Sequence, residues 1–487
     1  MPFKDLREFI SHLERTGQLV RISTSVSRDL EITEITDRVV KGSGNGNKAL
    51  LFEKVEGFSI PVITNLFGSE SRMATALSVP NLNELNHKLS QLIDMKIPRG
   101  LRSVLARGAD MLTVLRSVGL KPKMVQSAPC QEVIVNEKPD LNMLPVLKCW
   151  PNDAGRFITM MQVITRDPVT KLRNVGMYRL QVLGPDRLAM HWQEHKGGAE
   201  HERRAHDEGI RQIPAAVVLG GDPASMWAAS APMPPDLDEY LLAGWLRGKP
   251  VEFVSCVTQP LEVPANAEIV IEGYVDLTDY ADEGPFGDHT GYYTPKGSFP
   301  VFRVTAITHR NNPIYPATIV GIPPMEDVYM GKATERLFLP LIRLFLPEVL
   351  DYHLPPAGVF HNLVLVKIRK RYPGHTRKVM FAMWGMGLLM LSKAIVVLDD
   401  WVDVHNLHEV AWQTLGNVDW ERDVVVVHGA VDQLDHAAPK RSYGTKVGID
   451  ATAKTSDDGY SRVWPEVVRM SPEIQAMVDE KWKELGL

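Results

Sequence analysis

The chain has 487 residues, 44% of them apolar and 23% charged, with a formal net charge of −5 and a pI of about 6.3. This composition is typical of a globular protein with about three domains of roughly 150 residues, and its negative balance argues against a globally basic nucleic-acid binder, since phosphate recognition needs surplus Lys and Arg on one face. Cys130, Cys149 and Cys256 form no CxxC or zinc-ligand spacing, so the sequence indicates neither a disulfide framework nor a structural zinc site and fits a reducing, cytoplasmic setting.

An N-terminal α/β domain is predicted over residues 1–118. Helical and strand-like apolar patterns alternate there, with helices at 4–16 and 30–41 and strands at 49–53 and 60–65. The first helix lacks the apolar core of a signal peptide, so none is expected. The glycine-rich stretch 42–46 follows a helix rather than a strand, which favours a flexible connector over a phosphate loop.

Residues 119–322 are predicted to form a β-rich domain. Short strands there are separated by Gly, Pro, Asp and Asn, at 158–165, 174–183, 188–195, 215–219, 251–257, 268–275 and 299–309. So many strands with so little helix indicate an antiparallel barrel or sandwich.

Residues 323–487 return to an α/β pattern. The predicted elements are a strand at 361–368, a helix at 376–391, a strand at 394–398, a helix at 406–415 and a strand at 423–427. This alternation predicts a mostly parallel sheet. The most apolar stretch, 379–398, is interrupted by Ser392 and Lys393, and its uninterrupted part is shorter than the roughly 20 residues that a transmembrane helix needs.

The chain closes with a predicted amphipathic helix. Ser471-Pro472-Glu473 is a helix-start signal, and the residues after it place one apolar stripe on the helix: Ile474, Met477, Val478, Trp482 and Leu485. A stripe of this kind predicts docking, either on the chain itself or on a partner subunit.

A predicted hairpin around the turn 184–187 carries the first group of candidate site residues. Pairing of Leu183 with Leu188 across the turn would place Arg179 opposite Trp192.

The same pairing would bring Asn174 and His195 together at the open end of the hairpin. An amide oxygen and an imidazole, joined by a carboxylate, suit Mn²⁺ or a similar oxygen-preferring cation, above all one that also binds a phosphate. The alternative is an ordinary strand end with two solvated side chains.

A second candidate group is the segment EGPFGDHTGYY, which begins at Glu283. Glu283 and Asp288 are separated by a Gly-Pro turn and a further Gly, which can fold both carboxylates toward one point. In a closed pocket their repulsion would raise one pKa and make that group a general acid, while an Arg held the other ionised. Such a pair suits the addition of a proton to carbon. The alternative is two exposed acids in a tight turn.

Several motifs occur together in a characteristic order. Asn174 is followed five residues later by Arg179, and the His195 loop and Glu239-Tyr240 with Ala243-Gly244 come next. The remaining motifs are KDLREFISHLE, LEITEITDR, NLFG, SAPCQEV, CWPNDAG, EGPFGDHTGYY, PVFRVTAITHR, LDHAAP and GIDAT. In order and spacing the sequence resembles the UbiD family of prenylated-flavin-dependent decarboxylases, in particular the 3-polyprenyl-4-hydroxybenzoate decarboxylase type.

The resemblance implies an architecture and a set of cofactors. It implies an N-terminal α/β domain, a central split β-barrel that binds the flavin, and a C-terminal α/β domain that builds a homo-oligomer, either a dimer or a hexamer. The implied cofactor is prenylated FMN, held through Mn²⁺ with K⁺ nearby and supplied by a separate flavin prenyltransferase.

The resemblance also implies roles for individual residues. The implied Mn²⁺ ligands are Asn174, His195 and Glu239. The implied catalytic network is Glu283, Arg179 and Asp288, in which Asp288 returns a proton after CO₂ leaves. The implied cofactor-binding residues are Asn174, Met177, Tyr178, Arg179, His191, Trp192, Gln193, His195, Lys196 and Gly197.

The resemblance implies a carboxylic acid substrate, and Asp rather than Glu at position 288 favours an aromatic acid over an acrylic one. The main substrate candidate is a polyprenyl-4-hydroxybenzoate of quinone biosynthesis. A prenylated substrate would imply peripheral membrane contact. Segments 321–345 and 459–468 depart from that enzyme type, so other hydroxyaromatic or heteroaromatic acids stay open, as does carboxylation in reverse. A conventional flavin oxidoreductase would need a dinucleotide fingerprint, which the sequence lacks. A non-catalytic subunit would be expected to lose the Arg and the two acids.

Overall fold

The N-terminal residues form the small α/β unit that their apolar spacing predicts, in a computed structural model that describes residues 2–42, 46–96, 120–233, 237–482 and 484–486. The helices are α1 (Leu6–Arg15), α2 (Glu31–Lys41), α3 (Glu70–Ala76) and α4 (Asn83–Lys96), and the strands are β1 (Leu19–Ile22), β2 (Ala49–Phe52) and β3 (Val62–Thr64). Part of the glycine-rich stretch 42–46, residues 43–45, lies outside the described residues.

The apolar face of α1 explains why the first residues fold onto this unit. Asp5 caps the helix by accepting a hydrogen bond from the Glu8 backbone N–H at 3.0 Å. The predicted stripe is fully buried: Leu6, Phe9, Ile10 and Leu13. The sheet has the order β1-β2-β3, and a short strand from much later in the chain, Tyr315–Pro316, pairs with β3 in parallel. The N-terminal sheet is therefore completed by residues outside 1–118.

The central part is dominated by antiparallel strands, as predicted. Its strands are β4 (Lys123–Met124), β5 (Val133–Val135), β6 (Phe157–Ile158), β7 (Met161–Arg166), β8 (Arg173–Gly176), β9 (Arg179–Gly184), β10 (Arg187–His191), β11 (Gln212–Leu219), β12 (Glu252–Ser255), β13 (Glu262–Pro264), β14 (Ile269–Glu283), β15 (Phe286–Gly287), β16 (Tyr293–Thr294), β17 (Gly297–His309) and β18 (Tyr315–Pro316). The helices are α5 (Gly197–Asp207), α6 (Pro223–Ala228) and α7 (Glu239–Arg247).

The main sheet of this part has nine strands in the order β6-β9-β10-β17-β14-β11-β7-β8, with β5 added on β17. The long strands β14 and β17 pair along most of their length and form its centre. Within the described ranges the two end strands, β6 and β8, do not pair with each other, so the sheet does not close. The split barrel therefore stays a prediction.

The predicted strand 174–183 is wrong in one respect, because it is two strands. β8 pairs with β7, whereas β9 pairs with β10 and β6. Between them the Met177 backbone N–H donates to the Ala229 carbonyl at 2.8 Å rather than to a sheet neighbour. This break sends Asn174 and Arg179 to different parts of the sheet.

The predicted register of the next hairpin is also wrong, by one residue. Leu188 pairs with Val182 rather than with Leu183, so His191, not Trp192, lies opposite Arg179. The register shifts beside the turn, where Leu183 is the extra residue of a β-bulge. A single inserted residue changes every pairing beyond it, which is why turn length alone gave the wrong partner.

The C-terminal part is an α/β unit whose sheet is less parallel than predicted. Its elements are α8 (Glu326–Phe345), β19 (Val349–His353), β20 (Leu363–Ile368), α9 (His375–Trp384), β21 (Ala394–Asp399), α10 (Leu407–Asn417), β22 (Val424–Ala430), β23 (Tyr443–Asp450) and α11 (Pro472–Lys481). The order is β19-β20-β21-β23-β22; the two inner pairs are parallel and both outer pairs are antiparallel. The sequence pattern did not indicate β19 and β23, which supply those antiparallel contacts.

The closing helix α11 is present, but none of its residues is buried. Ser471 caps it by accepting from the Ile474 backbone N–H at 3.4 Å. Its predicted stripe is exposed, with Val478 36% and Trp482 49% accessible. The helix does not dock on the described part of its own chain, so this one of the two predicted docking partners is wrong.

Across the ranges that the structure describes, no helix is long and apolar enough to span a bilayer.

Candidate active site

Arg179 is the centre of a buried charge network. Its Nε and Nη2 donate to the two carboxylate oxygens of Glu283 at 2.6 and 3.0 Å, a bidentate pair. Its Nη1 donates to Asp288 Oδ2 and to Thr294 Oγ1, and Thr294 Oγ1 donates in turn to Asp288 Oδ2 at 2.8 Å. The guanidinium also lies 4.8 Å above the Phe286 ring. One cation thus holds both acids of the predicted pair.

Local backbone geometry brings the two acids to Arg179. Glu283 is the last residue of β14, and Gly284 follows with a φ of +89°, a left-handed conformation that favours glycine. The Gly284 N–H donates to Gln181 Oε1, on the same strand as Arg179, at 2.8 Å. The chain then returns through β15 to Asp288. Glu283 is fully buried and Asp288 is 6% exposed, which contradicts the alternative of two exposed acids.

The predicted split of the two carboxyl pKa values is wrong. Burial raises the pKa of Glu283, but hydrogen bonds from His191 and Arg179 outweigh it and hold the pKa below its usual range. Burial likewise opposes ionisation of Asp288, yet the Arg179 charge, the His289 hydrogen bond and Thr294 hold its pKa far below the ordinary value. Arg179 lies between the acids, so attraction replaces the expected repulsion and the pKa of each acid is lowered rather than split.

His191 connects this network to the C-terminal part. Its Nδ1 lies 2.9 Å from Glu283 Oε2, and its Nε2 lies 3.1 Å from Gln433 Nε2. Burial lowers the pKa of His191, so a neutral ring that donates from Nδ1 and accepts at Nε2 satisfies both contacts. The ring also packs against Phe299, with centroids 4.1 Å apart.

The three residues proposed as Mn²⁺ ligands come from separate elements, namely β8, the start of α7 and the segment between β10 and α5. Glu239 is the first residue of α7 and its Oε2 accepts from the Val175 N–H at 2.8 Å, next to Asn174. A Cβ on Gly197 would lie 1.9 Å from Asn174 Oδ1, so the backbone after His195 approaches that amide closely. His195 Nε2 is buried and has no hydrogen-bond partner among the described residues.

The glycines at the start of α5 form a cradle next to this group. Tyr178 Oη accepts from the Gly198 N–H at 3.0 Å and lies 3.4 Å from Asn174 Nδ2. A Cβ on Gly198 would meet the Trp192 ring at 2.4 Å, and Trp192 Nε1 is buried without a partner in the described structure. The N-terminus of a helix with such close backbone approach is a favourable place for a phosphate.

The remaining predicted flavin contacts lie around the same segment. Met177 and Gln193 are half-buried, and the Gln193 carbonyl accepts from the Lys196 N–H at 3.0 Å. Burial lowers the pKa of Lys196. Along the chain, the predicted binding residues lie on β8, on the connection to β9 and its first residue, at and just after the end of β10, and at the start of α5.

Comparison with known proteins decides the family. The chain matches the N-terminal domain of 3-octaprenyl-4-hydroxybenzoate carboxy-lyase over residues 10–91, the Rift-related domain over 123–323 and the C-terminal domain over 328–451. The chain belongs to the UbiD family of carboxy-lyases.

Relatives match along the whole chain. Uncharacterized proteins of Aquifex aeolicus (strain VF5) and Archaeoglobus fulgidus (strain ATCC 49558) are 50% and 49% identical over 486 residues, covering 100% of this chain and 99% of each relative. The UbiD-class enzyme HmfF from Pelotomaculum thermopropionicum, solved in complex with FMN, is 30% identical with a TM-score of 0.79, covering 98% of this chain and 99% of that one.

Vanillic acid decarboxylase from Sedimentibacter hydroxybenzoicus is 27% identical in its closed form, with a TM-score of 0.88 and coverage of 100% and 99%. The open form of the same enzyme has a TM-score of 0.79 against this chain. The arrangement of this UbiD chain is therefore more similar to the closed form.

The donor set beside β8 fits a cofactor that is held through a hard cation. An amide oxygen, an imidazole and a carboxylate are ligands that Mn²⁺ accepts. His195 Nε2 lacks a partner in the described chain, and burial raises the pKa of Glu239 well above the ordinary value. Gly197 and Gly198 let the start of α5 pack closely against the Asn174 and Trp192 side chains.

A second cluster with metal-ligand chemistry, which the sequence gave no reason to expect, lies in the C-terminal part of this UbiD chain. Glu335, His353 and His405 bring ligand atoms within 4.8 Å of one another. Lys332 Nζ already lies among them, 2.7 Å from Glu335 Oε1, 3.3 Å from His353 Nδ1 and 3.1 Å from His405 Nδ1. Arg336 also pairs with Glu335. The cluster therefore contains its own cations, and we assign no metal to it.

Proposed function

We propose that this UbiD-family enzyme catalyses reversible, non-oxidative decarboxylation of an aromatic carboxylic acid with prenylated FMN. The observation that carries the proposal is the buried Arg179 network, in which one guanidinium binds the carboxylates of both Glu283 and Asp288. HmfF was solved with prenylated FMN, and vanillic acid decarboxylase acts on an aromatic acid, which supports the same cofactor and substrate class here.

The chemistry explains why a flavin and an acid are both needed. Loss of CO₂ from an aromatic ring leaves an electron pair for which side chains provide no sink, and bound prenylated flavin supplies one. Arg179 keeps Glu283 and Asp288 ionised and fixed in position. Asp288 is proposed to carry the proton that replaces the carboxyl group.

Cofactor binding is proposed for the residues around β8 and the start of α5. Asn174, His195 and Glu239 would hold Mn²⁺, bridged to the flavin phosphate. The flavin would contact Met177, Tyr178, Arg179, His191, Trp192, Gln193, Lys196 and Gly197. K⁺ is proposed as a second ion without assigned residues. The domain limits 1–118, 119–322 and 323–487 also remain a proposal, as does cytoplasmic localisation.

A polyprenyl-4-hydroxybenzoate remains the leading substrate, with other hydroxyaromatic or heteroaromatic acids as the alternative. The presence of Arg179, Glu283 and Asp288 in one buried network speaks against a non-catalytic subunit.

The test of the proposed function is cofactor dependence. Protein produced without a flavin prenyltransferase is expected to fold but to release no CO₂, and reconstitution with prenylated FMN and Mn²⁺ is expected to restore release across part of an aromatic-acid panel. Mass spectrometry of the acid and its product gives the measurement. Full activity with unmodified FMN would contradict the proposal and favour an oxidoreductase, while no activity in any preparation would favour a structural subunit.

We also propose that α11 docks on a second copy of this chain in a homo-oligomer, either a dimer or a hexamer. Its apolar stripe is exposed, and so are Val463, Val468 and Met470 on the segment that leads to it. Apolar surface of this extent at a chain end is typical of an interface.

Val478→Asp is expected to reduce the oligomer to a smaller species in light-scattering measurements, because a charge would be placed in an apolar contact. Glu480→Ala, on the same helix but off the stripe, is the matched control and should leave the mass unchanged. Equal masses for the two variants would contradict the docking role of α11.

A further inference from the structure

A pair of histidines extends the Arg179 network toward the C-terminal part of the chain. His289 Nδ1 lies 2.8 Å from Asp288 Oδ1, and the His289 backbone N–H donates to the same oxygen at 2.8 Å. On its other side, His289 Nε2 lies 3.0 Å from His361 Nε2. A continuous line of contacts therefore runs from Arg179 through Asp288 and His289 to His361.

The segment that presents His361 is held in a strained conformation. Val359 and Phe360 have φ values of +53° and +46°, in the left-handed region that β-branched and bulky residues rarely adopt. The Phe360 ring stacks on His289 with centroids 5.4 Å apart. A Cβ at Gly331 on α8 would lie 3.1 Å from Phe360 Cγ, so the glycine leaves room for that ring. Strain of this kind persists where the surroundings fix the geometry, and it often marks functional sites.

The charges around the pair favour a proton on His289 rather than on His361. Burial opposes a charged His289, but the hydrogen bond and charge of Asp288, with Asp327 and Asp432, raise its pKa above the ordinary value. Burial lowers the pKa of His361 to about 4, with Asp432 and Asp288 raising it and His289 and Lys196 lowering it further. A charged His289 that donates from both nitrogens, accepted by Asp288 and by neutral His361, satisfies this arrangement.

Asp288 itself is a poor store for the proton that the reaction consumes. Burial raises the pKa of Asp288, but Arg179, His289 and Thr294 outweigh it and hold the pKa far below the ordinary range, so this carboxylate binds a proton weakly. A proton must therefore reach Asp288 from a group in direct contact with it, and His289 Nδ1 is such a group.

We propose that His289, held in place by His361 and Phe360, supplies through Asp288 the proton that replaces the departing carboxyl group. This rests on the decarboxylase function proposed above. The proton moves from His289 Nδ1 to Asp288 Oδ1, and Asp288 passes one proton to the ring carbon, where it forms a C–H bond with the electron pair left by CO₂. Imidazolium becomes imidazole, and bulk water restores the proton between turnovers. His289 and His361 act through Asp288 and are positioning residues.

The proposal predicts how kcat depends on pH. Turnover requires protonated His289, so kcat falls as pH rises through the raised pKa of that ring. His289→Asn keeps an amide donor near Asp288 but cannot titrate. It is expected to lower kcat by at least about tenfold and to remove the decrease of kcat at high pH, which is the alkaline limb of the profile. His361→Leu removes the acceptor for His289 Nε2 and should move the limb to lower pH, whereas His361→Gln can still accept and should leave it near the wild-type position.

Two measurements test this on the full chain. The first is an NMR titration of ¹⁵N-histidine-labelled protein, in which His289 should titrate above the ordinary value and shift down in His361→Leu but not in His361→Gln. The second is kcat against pH for the enzyme loaded with prenylated FMN and Mn²⁺, with vanillate or the fastest acid of the panel as probe. His436→Gln is the matched control, because His436 packs on Tyr292 from the C-terminal part, 4.1 Å between centroids, without touching Asp288.

The failures can be told apart. A wild type that releases no CO₂ from any acid overturns the proposed function and this proposal with it. An active wild type with unchanged kcat and pH profile in His289→Asn, or with a His289 titration that is insensitive to His361→Leu, overturns the role of the histidine pair alone.

Discussion

Asp288→Asn is expected to lower kcat by a factor of about 10² or more, because the amide cannot accept and return a proton. The variant should fold normally. Asn has the size of Asp, and its amide oxygen can still accept from Arg179 Nη1 and Thr294 Oγ1, which hold Asp288 now. The measurement is CO₂ release by the cofactor-loaded enzyme, together with the thermal unfolding midpoint of the same preparation.

The neighbouring acid provides a matched control. Asp282 lies one residue before Glu283, is 65% exposed at its side chain and forms an ion pair with Lys296 at 2.6 Å. Asp282→Asn should therefore leave kcat unchanged. Arg179→Ala and Glu283→Gln are expected to match the loss in Asp288→Asn, since members of one network fail together. Near-normal turnover by a well-folded Asp288→Asn enzyme would remove the proton-donor assignment.

The acid pair shows what the sequence could predict. Glu283 and Asp288 lie close in the chain with a Gly-Pro turn between them, and both reach the same guanidinium, as the predicted turn suggested. The same holds for α1, whose buried face follows from its own spacing. Local patterns of this kind carry their information within about ten residues, so pattern rules apply to them directly.

The register of β9 and β10 shows where such rules fail. The bulge at Leu183 depends on contacts on both sides of the turn, and turn residues alone do not reveal it. The predicted rise of one carboxyl pKa is wrong for a related reason, because Glu283 and Asp288 both bind the guanidinium of Arg179, which lies on a different strand. The contact between Arg179 and Glu283 that fixes this arrangement joins residues 104 positions apart in the sequence.

Contacts between the central and C-terminal parts were the least accessible to sequence reasoning. Gln433 reaches His191 across 242 residues, and His361 reaches His289 across 72. No periodicity or motif connects these positions, although His289 follows directly after Asp288 in a segment already singled out. A histidine adjacent to a proposed general acid is therefore a signal that could have been used.

Glu239→Gln is expected to abolish both stoichiometric Mn²⁺ and flavin retention. Glutamine keeps an oxygen that can accept from the Val175 N–H, now bonded to Glu239 Oε2 at 2.8 Å, so the local fold should survive. What it loses is the negative charge, which a divalent ion needs from its one carboxylate in a site otherwise made of an amide and an imidazole. If the ion bridges protein and phosphate, the Mn²⁺ content and the flavin content of the protein should decrease together, since binding at two linked sites is reciprocal.

Elemental analysis and flavin absorbance of the purified, cofactor-loaded protein measure the two losses independently of activity. Glu262→Gln is the matched control: Glu262 accepts from Arg173, the neighbour of Asn174, at 2.9 Å, but lies outside the proposed ligand set. It should keep both metal and flavin. A Glu239→Gln protein that retains the metal but loses the flavin would refute the bridge, and a wild type with flavin but no divalent ion would refute the site. If His195→Ala alone retains the metal, that ligand must be withdrawn while Asn174 and Glu239 stay.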